Sequence, residues 1–410
     1  MKPRKPKLSV SLADIQTARI ELRKLLPSSP MVYNAWLSEH FGCNVFLKLE
    51  NMQPIGSFKI RGATYKISTL TKEERRKGVI AASAGNHAQG VAWGSSKYGV
   101  DSLIIMPKEA SLMKVENTRQ LGADVHLEGA NYSEAYEVAR RISRKTGRVF
   151  VHAYEDRQVI AGQGTLGLEI LDQVPEADYV IGSIGGGGLM AGVGTAIKER
   201  RPKTKIIGCQ ALGAPAMARS FKSGRAQSTP HVNTFADGIA VSKASSEMLK
   251  ILKKRIDKIC VADDESIVAA VLTLIEKAKT VVEGAGALPL AVLEQLRSQV
   301  RRKNVVIIVT GGNIDVNLLS RILDRGLIRA GRRLRINVLI SDRPGSLKRL
   351  TEFLASQEVN ILQAIHDRSE PFTTIDQTEV ALTLETKGAS HSREVVRALK
   401  AHVLRLELMH

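Results

Sequence analysis

The chain has 410 residues, 43% hydrophobic and 4% aromatic, as in an α/β protein with one large body and one small domain. Its formal net charge is +19, but the positive residues are dispersed and no aromatic residues interleave with them, so we expect no nucleic-acid binding. The three cysteines, Cys43, Cys209 and Cys260, are too widely spaced for a disulfide framework or a metal pair, which favours a cytoplasmic location. We expect no signal peptide after the basic residues 1–10 and no membrane span.

From Val79 onward, short apolar segments alternate with longer amphipathic segments, as strands alternate with helices in α/β proteins. The predicted strands are residues 78–83, 102–106, 124–127, 179–183, 205–209 and 304–309, and the predicted helices are residues 87–98, 111–122 and 132–146. This order predicts two lobes, each a parallel sheet covered by helices, with the smaller lobe (roughly residues 50–155) inserted in the larger one. Ligands bind such sheets at the carboxyl ends of the strands.

The pattern changes after Gly326, where a basic, turn-like connector follows. The predicted strands beyond it are residues 335–340, 360–368, 378–385 and 403–408, and the predicted helices are residues 347–356 and 390–401. Their order, β-α-β-β-α-β, is typical of a ferredoxin-like α+β domain. We therefore predict a large domain over residues 1–330 and a small one over residues 335–410.

Lys59 is the first residue with a chemical signal. It lies between Phe58 and Ile60, in a segment bounded by Gly56 and Gly62, and is predicted to begin a helix at an apolar, tightly turned site. A lysine in such surroundings has a lowered pKa and becomes a nucleophilic amine, which a Schiff base requires. Without its neighbours, Lys59 is better explained as a solvated lysine.

A strand-to-helix turn carries Ser83, Ala84, Gly85, Asn86 and His87. The backbone N–H groups at the start of a helix bind anions, and a substrate carboxylate is a candidate. The Asn86 amide is suited to bind a ring hydroxyl. The alternative is an ordinary helix start capped by Ser83 or Asn86. Taken alone, the His87 side chain is better explained by a structural role than by a catalytic one.

A run of four glycines, Gly185, Gly186, Gly187 and Gly188, follows a predicted strand and precedes Leu189. Without side chains, their backbone N–H groups can converge on a phosphate, whereas a merely flexible loop is the alternative. Thr310 ends another predicted strand and offers a hydroxyl to the same cleft or to a helix start.

Together these four segments resemble the fold-type II pyridoxal-phosphate enzymes, specifically the threonine/serine ammonia-lyases. The similarity extends over residues 12–331 and includes the stretches 159–165, 235–240 and 283–287. Residues 335–410 resemble an ACT domain, a small amino-acid-sensing module. The resemblance implies a pyridoxal 5'-phosphate cofactor, an amino-acid substrate, a homodimer or homotetramer, and an amino-acid effector at the ACT domain, for which loss of the ligand is the alternative.

The resemblance also implies roles for individual residues. Lys59 matches the lysine that carries the cofactor and acts as general base, and Phe58 matches the residue beside the cofactor ring. Asn86 matches the partner of the ring hydroxyl, and Thr310 the residue facing the pyridine nitrogen, usually Ser or Cys in the family. The four-glycine run with Leu189 matches the phosphate cradle. The five residues from Ser83 to His87 match the loop that holds the substrate carboxylate.

The expected reaction is loss of ammonia from threonine, giving 2-oxobutanoate, and also from serine, giving pyruvate. Related serine racemases carry a serine as second base where this chain has Ala84, which disfavours racemisation. They also bind a divalent cation through acidic residues where this chain has Gln210 and Ala216, so we expect no such metal site, and a monovalent cation stays an open alternative. Open alternatives are a serine-preferring ammonia-lyase, a racemase-like enzyme, another β-elimination or β-replacement enzyme, and a regulatory protein without activity.

Overall fold

The structure is a computed structural model that describes residues 8–368 and 374–409. Most of the basic start of the chain, where we expect no signal peptide, lies outside the described residues. Contacts divide the chain into two compact units, Met1–Ile314 and Asp315–His410. This boundary falls earlier than the one predicted at residue 330, so that helix Val316–Arg329 is assigned to the second unit.

The larger sheet of the first unit has six strands. In spatial order they are β1 (Met31–Tyr33), β2 (Asn44–Leu49), β10 (Asn304–Val309), β7 (Tyr179–Ser183), β8 (Lys205–Ala211) and β9 (Lys258–Ala262). Only β1 runs antiparallel to its neighbour. The apolar, β-branched run of β10 is buried on both faces because the strand is central and helices cover the sheet.

The smaller sheet of the first unit is wholly parallel. Its strands, in spatial order, are β5 (Asp124–Leu127), β4 (Ser102–Met106), β3 (Val79–Ala82) and β6 (Val149–Phe150). All of these strands lie within the predicted smaller lobe. Because β3 is flanked by a strand on each side and packed by helices, all four of its residues are buried. The predicted parallel sheets are confirmed.

Helices connect and cover these strands. Those of the first unit are α1 (Leu12–Leu22), α2 (Ala35–Phe41), α3 (Lys59–Ser68), α4 (Lys72–Lys77), α5 (Asn86–Tyr98), α6 (Leu112–Gln120), α7 (Tyr132–Thr146), α8 (Arg157–Gln173), α9 (Gly188–Arg200), α10 (Ala216–Ser223), α11 (Ser246–Arg255), α12 (Asp264–Ala278), α13 (Gly284–Leu293) and α14 (Arg297–Val300). Short 3-10 turns lie at Glu50–Met52, Asp237–Ile239 and Glu294–Leu296. None of the helices in the described residues is long and apolar enough to cross a membrane.

Helix α8 is the packing centre of the larger lobe. It is buried along most of its length and contacts α1, α3 and α9. Glycines make these contacts close: a Cβ on Gly162 would lie 2.7 Å from the Cα of Gly62 on α3, and one on Gly164 would lie 2.7 Å from Ile15 on α1. The helix that begins at Lys59 is therefore packed backbone to backbone against the core.

The second unit begins with α15 (Val316–Arg329) and continues as β11 (Arg333–Ser341), α16 (Ser346–Ser356), β12 (Asn360–Asp367), β13 (Gln377–Glu385), α17 (Ala389–Leu399) and β14 (Arg405–Leu408). The strands form one antiparallel sheet in the spatial order β12-β13-β11-β14. Alternate residues of β11 and β13 are buried against the two helices, as a sheet with one covered face requires. The predicted β-α-β-β-α-β order is confirmed.

Candidate active site

Lys59 lies at the first position of α3, as predicted, directly after Phe58. Its amine is half-buried, donates to the carbonyl oxygen of Ala153 at 3.2 Å, and lies 5.3 Å from the centre of the Phe58 ring. Burial lowers the pKa of Lys59 to about 8, although the negative charge of Glu283 opposes this shift. The lowering agrees with the expectation from the sequence, and a far larger fraction of this amine is uncharged at neutral pH than in a solvated lysine with a pKa near 10.5.

The segment before Lys59 is joined to the segment after β10. The N–H of Phe58 donates to the carbonyl oxygen of Thr310 at 3.1 Å, and the N–H of Gly312 donates to that of Gly56 at 2.9 Å. Gly56 has a φ of +68°, and a Cβ there would lie 2.5 Å from Asn313 Oδ1, so only glycine fits this turn. Two regions more than two hundred residues apart thus hold one another in place.

Thr310 is 2% exposed and follows the last residue of β10. The N-cap alternative for this residue is wrong, because no helix starts there and the next helix begins at Val316. Its backbone is bonded to Phe58 instead. Thr310 is therefore placed beside the Lys59 segment, where the resemblance expects a hydroxyl.

Asn86 is the centre of a side-chain network. Its Nδ2 donates to the two carboxylate oxygens of Glu283 at 2.9 and 3.1 Å, and its Oδ1 accepts from Asn313 Nδ2 at 2.8 Å. The Asn313 Nδ2 also donates to the carbonyl oxygen of Ile55 at 2.7 Å. The network joins the start of α5 to the Lys59 segment, so the Asn86 amide is held in one orientation.

Glu283 is a titratable residue at this site for which the sequence reasoning assigned no role. Burial raises its pKa to about 7, although the Asn86 hydrogen bond lowers it. More distant charges also act: Asp237 raises the pKa, whereas Lys114 and Lys59 lower it. The sequence signal was the family-like stretch 283–287, whose first residue carries the carboxyl group.

The Ser83–His87 turn begins helix α5 without a side-chain cap. The N-cap is Gly85, and the Ser83 hydroxyl accepts a hydrogen bond from the Gly85 N–H at 3.2 Å instead of capping the first turn. The alternative of an ordinary helix start capped by Ser83 or Asn86 is therefore wrong. The uncapped first turn, with half-buried Ala84 before it, leaves backbone N–H groups for an anion.

His87 is 3% exposed, and its Nε2 lies 2.9 Å from the carbonyl oxygen of Val151. Burial lowers the pKa of His87 to about 3, and the positive charge of Lys59 adds to this effect. The ring is therefore neutral, and Nε2 donates to Val151. Its structural role leaves the backbone N–H as the group that His87 can offer to a substrate.

The four-glycine run forms the turn between β7 and α9, with Gly187 as N-cap at a φ of +100° and no side-chain cap. A Cβ on Gly186 would lie 2.3 Å from ring atoms of Tyr154, and one on Gly188 would lie 2.9 Å from the Tyr154 Cβ. Tyr154, which the sequence reasoning missed, therefore packs directly on the run. Because any side chain would collide with it, the glycines keep the backbone open, and the flexible-loop alternative does not explain them.

Gly185 and Leu189 lie at the two ends of this run. A Cβ on Gly185 would lie 3.2 Å from the Gly238 carbonyl oxygen, so the run also packs against the Asp237–Ile239 turn. Leu189 is 5% exposed and belongs to the core. Leu189 therefore anchors the first turn of α9 and can reach a phosphate only through its backbone N–H.

Gln210 has both ends of its side-chain amide occupied. Its Nε2 donates to the carbonyl oxygen of Ile184 at 3.1 Å, and its Oε1 accepts from the N–H of Ala218 at 2.7 Å. Gln210 thus supports the start of the four-glycine run, and Ala216 has no ligating side chain. Among the described residues, no cluster of three or more His, Cys, Asp or Glu could hold a metal ion.

The residues present fit pyridoxal phosphate. An aldehyde needs an uncharged amine, and burial provides one at Lys59. A phosphate needs converging N–H groups without a capping side chain, which the start of α9 provides. Lys59 and the glycine run meet through neighbouring residues, since Ala153 accepts from the Lys59 amine and Tyr154 packs on Gly186.

Comparisons with known proteins agree with this fit. Residues 23–311 match the family model of pyridoxal-phosphate dependent enzymes. The chain is similar to the L-threonine ammonia-lyase of Thermotoga maritima, with 45% identity over 96% of this chain and 98% of that protein.

Two solved structures are each similar to 78% of this chain. A processed threonine deaminase isoform 2 from Solanum lycopersicum superposes with a TM-score of 0.74 and 34% identity, covering 78% of this chain and 95% of that one. Maize serine racemase superposes with a TM-score of 0.74 and 32% identity, covering 78% and 99%. The chain belongs to the family of pyridoxal-phosphate dependent enzymes.

Proposed function

We propose that this chain is a threonine ammonia-lyase, a carbon–nitrogen lyase that converts L-threonine to 2-oxobutanoate and ammonia and also acts on L-serine. The observation that carries the proposal is the half-buried amine of Lys59, whose pKa is lowered to about 8. It lies beside an uncapped helix start and a glycine cradle. The similarity over 96% of the chain to an L-threonine ammonia-lyase supports the choice of substrate.

The start of α5 would bind the substrate carboxylate. Its first turn has no side-chain cap, and the partial positive charge of a helix N-terminus attracts an anion. The Gly85 N-cap leaves space for a close approach, since a Cβ there would meet no atom within 4 Å. Binding at this turn would orient the substrate Cα toward the start of α3.

Lys59 would hold the cofactor through its amine and, once the substrate amine replaces it, would remove the Cα proton as general base. An amine with a pKa of about 8 can both accept this proton and release it near neutral pH. Pyridoxal phosphate, when bound, supplies the electron sink that makes the Cα proton acidic. Loss of the Cα proton and of the β-hydroxyl together removes one molecule of water from the substrate. The free enamine product would then take up one molecule of water to give the 2-oxo acid and ammonia.

The other residues would hold the cofactor in register with Lys59. The N–H groups of the glycine run would bind its phosphate, Phe58 would lie beside its ring, and Asn86 would bind its ring hydroxyl. Thr310 would place a neutral hydroxyl at the ring nitrogen, which favours prompt loss of the leaving group over transamination. Asn86 is pre-oriented for its role by Glu283 and Asn313.

The test is the release of 2-oxo acid by the purified holoenzyme from threonine, serine and related hydroxy amino acids. We expect 2-oxobutanoate from L-threonine as the fastest product. A faster release of pyruvate from L-serine would make the enzyme serine-preferring, and no 2-oxo acid from any substrate would contradict the proposal. Formation of D-serine from L-serine tests the racemase alternative, which Ala84 disfavours because it has no proton-transfer group.

We further propose that the second unit is an ACT-like regulatory domain that binds an amino-acid effector such as isoleucine or valine. Between β11 and α16, Gly345 has a φ of +87° and leaves the first turn of α16 without a side-chain cap, while Ser346 accepts a hydrogen bond from Arg349 at 2.9 Å. An isoleucine titration of the threonine assay tests this proposal, and an unchanged rate curve would contradict it.

We also propose a cytoplasmic homodimer or homotetramer. The three cysteines are buried and free, which suits a reducing compartment. Strand β12 is an edge strand whose Leu362 and Ile365 are exposed, which suits pairing with a second copy. Light scattering of the purified chain measures its mass in solution, and a monomer would contradict the assembly.

A further inference from the structure

Four charged side chains are buried together against helix α3. Lys48 lies on β2, Glu50 begins the 3-10 turn after it, Arg61 is in the first turn of α3, and Glu169 is on α8. Their exposed fractions are 0%, 0%, 2% and 7%, respectively. Two positive and two negative side chains thus share one buried site, and we call these four residues the charge cluster.

Arg61 uses its whole guanidinium group in this cluster. Its Nε and Nη2 donate to the two carboxylate oxygens of Glu50 at 2.7 and 2.8 Å. Its Nη1 and Nη2 donate to the two carboxylate oxygens of Glu169 at 2.7 and 2.8 Å, and Nη1 also reaches Thr165 Oγ1 at 3.2 Å. Two bidentate contacts fix both the position and the plane of the guanidinium.

Lys48 completes the cluster from the other side of Glu169. Its amine donates to Glu169 Oε2 at 2.8 Å, to the carbonyl oxygen of Ser29 at 2.7 Å and to Gln173 Oε1 at 2.8 Å. An ammonium has three N–H donors, so all of them are used. The cluster is therefore electrically balanced and its cations are fully hydrogen-bonded.

Stability alone is a poor explanation for this arrangement. Taking ions out of water is costly, and well-packed apolar residues of similar volume often serve stability as well or better. What such a network supplies is a defined geometry among the parts it joins. Here it joins β2, the turn after it, α3 and α8.

The contact between α3 and α8 needs such a fixed point. At Gly62 and Gly162 the two helices meet backbone to backbone, since a Cβ on Gly162 would lie 2.7 Å from the Gly62 Cα. At this contact the Gln163 side chain of α8 packs over Gly62, and Tyr65 of α3 packs over Gly162. Arg61, next to Gly62, adds a bidentate charged contact to Glu169 on α8, which fixes the position of α3 along α8 more narrowly than packing does.

We propose that Arg61 is a positioning residue: held by Glu50 and Glu169, it fixes the first turn of α3 and thereby the place of the Lys59 amine. The link is short, because Arg61 follows Lys59 by two residues and its N–H donates to the Phe58 carbonyl oxygen at 3.1 Å. This inference rests on the proposed function only for the identity of Lys59 as the reactive amine.

Two variants test the inference. Arg61→Met combined with Glu50→Gln removes one charge of each sign and leaves Lys48 paired with Glu169. Arg61→Lys keeps the charge but loses the bidentate contacts, and it serves if the first variant does not fold. The matched control is Lys198→Met combined with Asp257→Asn, which removes a 2.8 Å ion pair outside the charge cluster.

The deciding measurement uses the cofactor-free chain. Acetylation of Lys59 by acetic anhydride is followed by mass spectrometry as a function of pH, which gives the titration midpoint of the amine. We expect a midpoint of about 8 in the wild type and the control. In the Arg61 variants we expect it to rise by about one unit or more, toward that of a solvated lysine. In the holoenzyme, kcat for threonine should fall about 10- to 100-fold with a smaller change in KM.

An unchanged midpoint in a folded Arg61 variant would overturn the inference whatever happens to kcat, because kcat also falls when packing is disturbed. Failure of both variants to fold would overturn it as well, since the cluster would then serve the fold. If the wild type releases no 2-oxo acid but the midpoint still rises in the variants, the proposed function fails and the positioning role stands.

Discussion

Two lysines of the first unit, the buried Lys48 and the half-buried Lys59, have contrasting surroundings. Lys48 is fully buried and has three hydrogen-bond acceptors, including the carboxylate of Glu169. Lys59 is half-buried and donates to the Ala153 carbonyl oxygen, with no carboxylate within ion-pair distance among residues 8–368 and 374–409. Burial lowers the pKa of both amines, and the Glu169 charge opposes this shift at Lys48.

This contrast shows how one protein can keep one lysine amine for structure and another for chemistry. At Lys48 all three donors of the ammonium are engaged and the Glu169 charge favours the protonated form, so this amine is not available as a nucleophile. An ammonium that has lost water without gaining a partner gives up its proton readily. The Lys59 amine is therefore reactive because no carboxylate among the described residues is bonded to it. The Lys48 amine is structural because all of its donors are bonded.

Lys59→Ala should abolish the reaction. Without the amine, nothing holds the cofactor covalently or takes up the Cα proton, so we expect the rate from threonine to fall by at least about a thousandfold. The absorbance of the lysine-bound cofactor should disappear with it. Lys66→Ala, on the same helix but paired with Asp156, is the matched control and should keep both. Survival of absorbance and activity in Lys59→Ala would show that another residue carries the cofactor.

Lys48→Met should lower the unfolding free energy without changing the reaction at Lys59. It leaves Glu169 with one cation fewer in a buried site, and breaking a buried pair costs about 3–5 kcal/mol of unfolding free energy. The double variant Lys48→Met with Glu169→Gln removes both charges and should recover part of that loss. Denaturant unfolding of the two variants measures the difference. If the single variant were as stable as the wild type, Lys48 would not be needed to balance the buried charge of Glu169.

Glu283→Gln should change the pH dependence of the bound cofactor. With its pKa raised to about 7 by burial, Glu283 is protonated below this pH, where glutamine has nearly the same shape and charge. The variant and the wild type should therefore have the same kcat and cofactor absorbance below pH 7. Above pH 7 the two proteins should differ, with kcat values that differ by about tenfold or less. A pH titration of cofactor absorbance and kcat shows the divergence. If the variant still shows the wild-type change near pH 7, that change must come from the titration of another group.

Low pH should reduce the contribution of the charge cluster to the unfolding free energy, with a smaller effect than the substitutions above. Although burial alone would raise it, the charges of Arg61 and Lys48 hold the pKa of Glu169 below its usual value of 4.5. A lowered folded-state pKa means that the stabilisation is complete above 4.5 and is lost as the pH falls through the folded-state value. The Lys48→Met, Glu169→Gln variant should therefore lose less unfolding free energy on acidification than the wild type. Parallel curves for the two proteins would contradict this.

Much of the fold could be predicted from local patterns. Most of the predicted apolar segments matched buried parallel strands, although β5 is mostly exposed. The β-α-β-β-α-β order of the second unit was also predicted correctly, because period and turn signals act within a few residues. Lys59, Asn86 and the glycine run were selected as candidate site residues in the same way, since each lies in a short, unusual segment at a strand end or a helix start. Element ends shifted by a residue or two, as at β8, which extends to Ala211.

The sequence by itself determined which residues could do chemistry: a lysine in an apolar turn, an asparagine at a helix start and four glycines in a row. Only the tertiary structure decided what surrounds them. The Glu283 carboxyl reaches Asn86 across 197 positions, and Tyr154 packs on Gly186. The charge cluster joins Arg61 to Glu169 across 108 positions. Local sequence carries no record of such pairings, because pKa and position depend on burial and on partners that only the folded chain brings together.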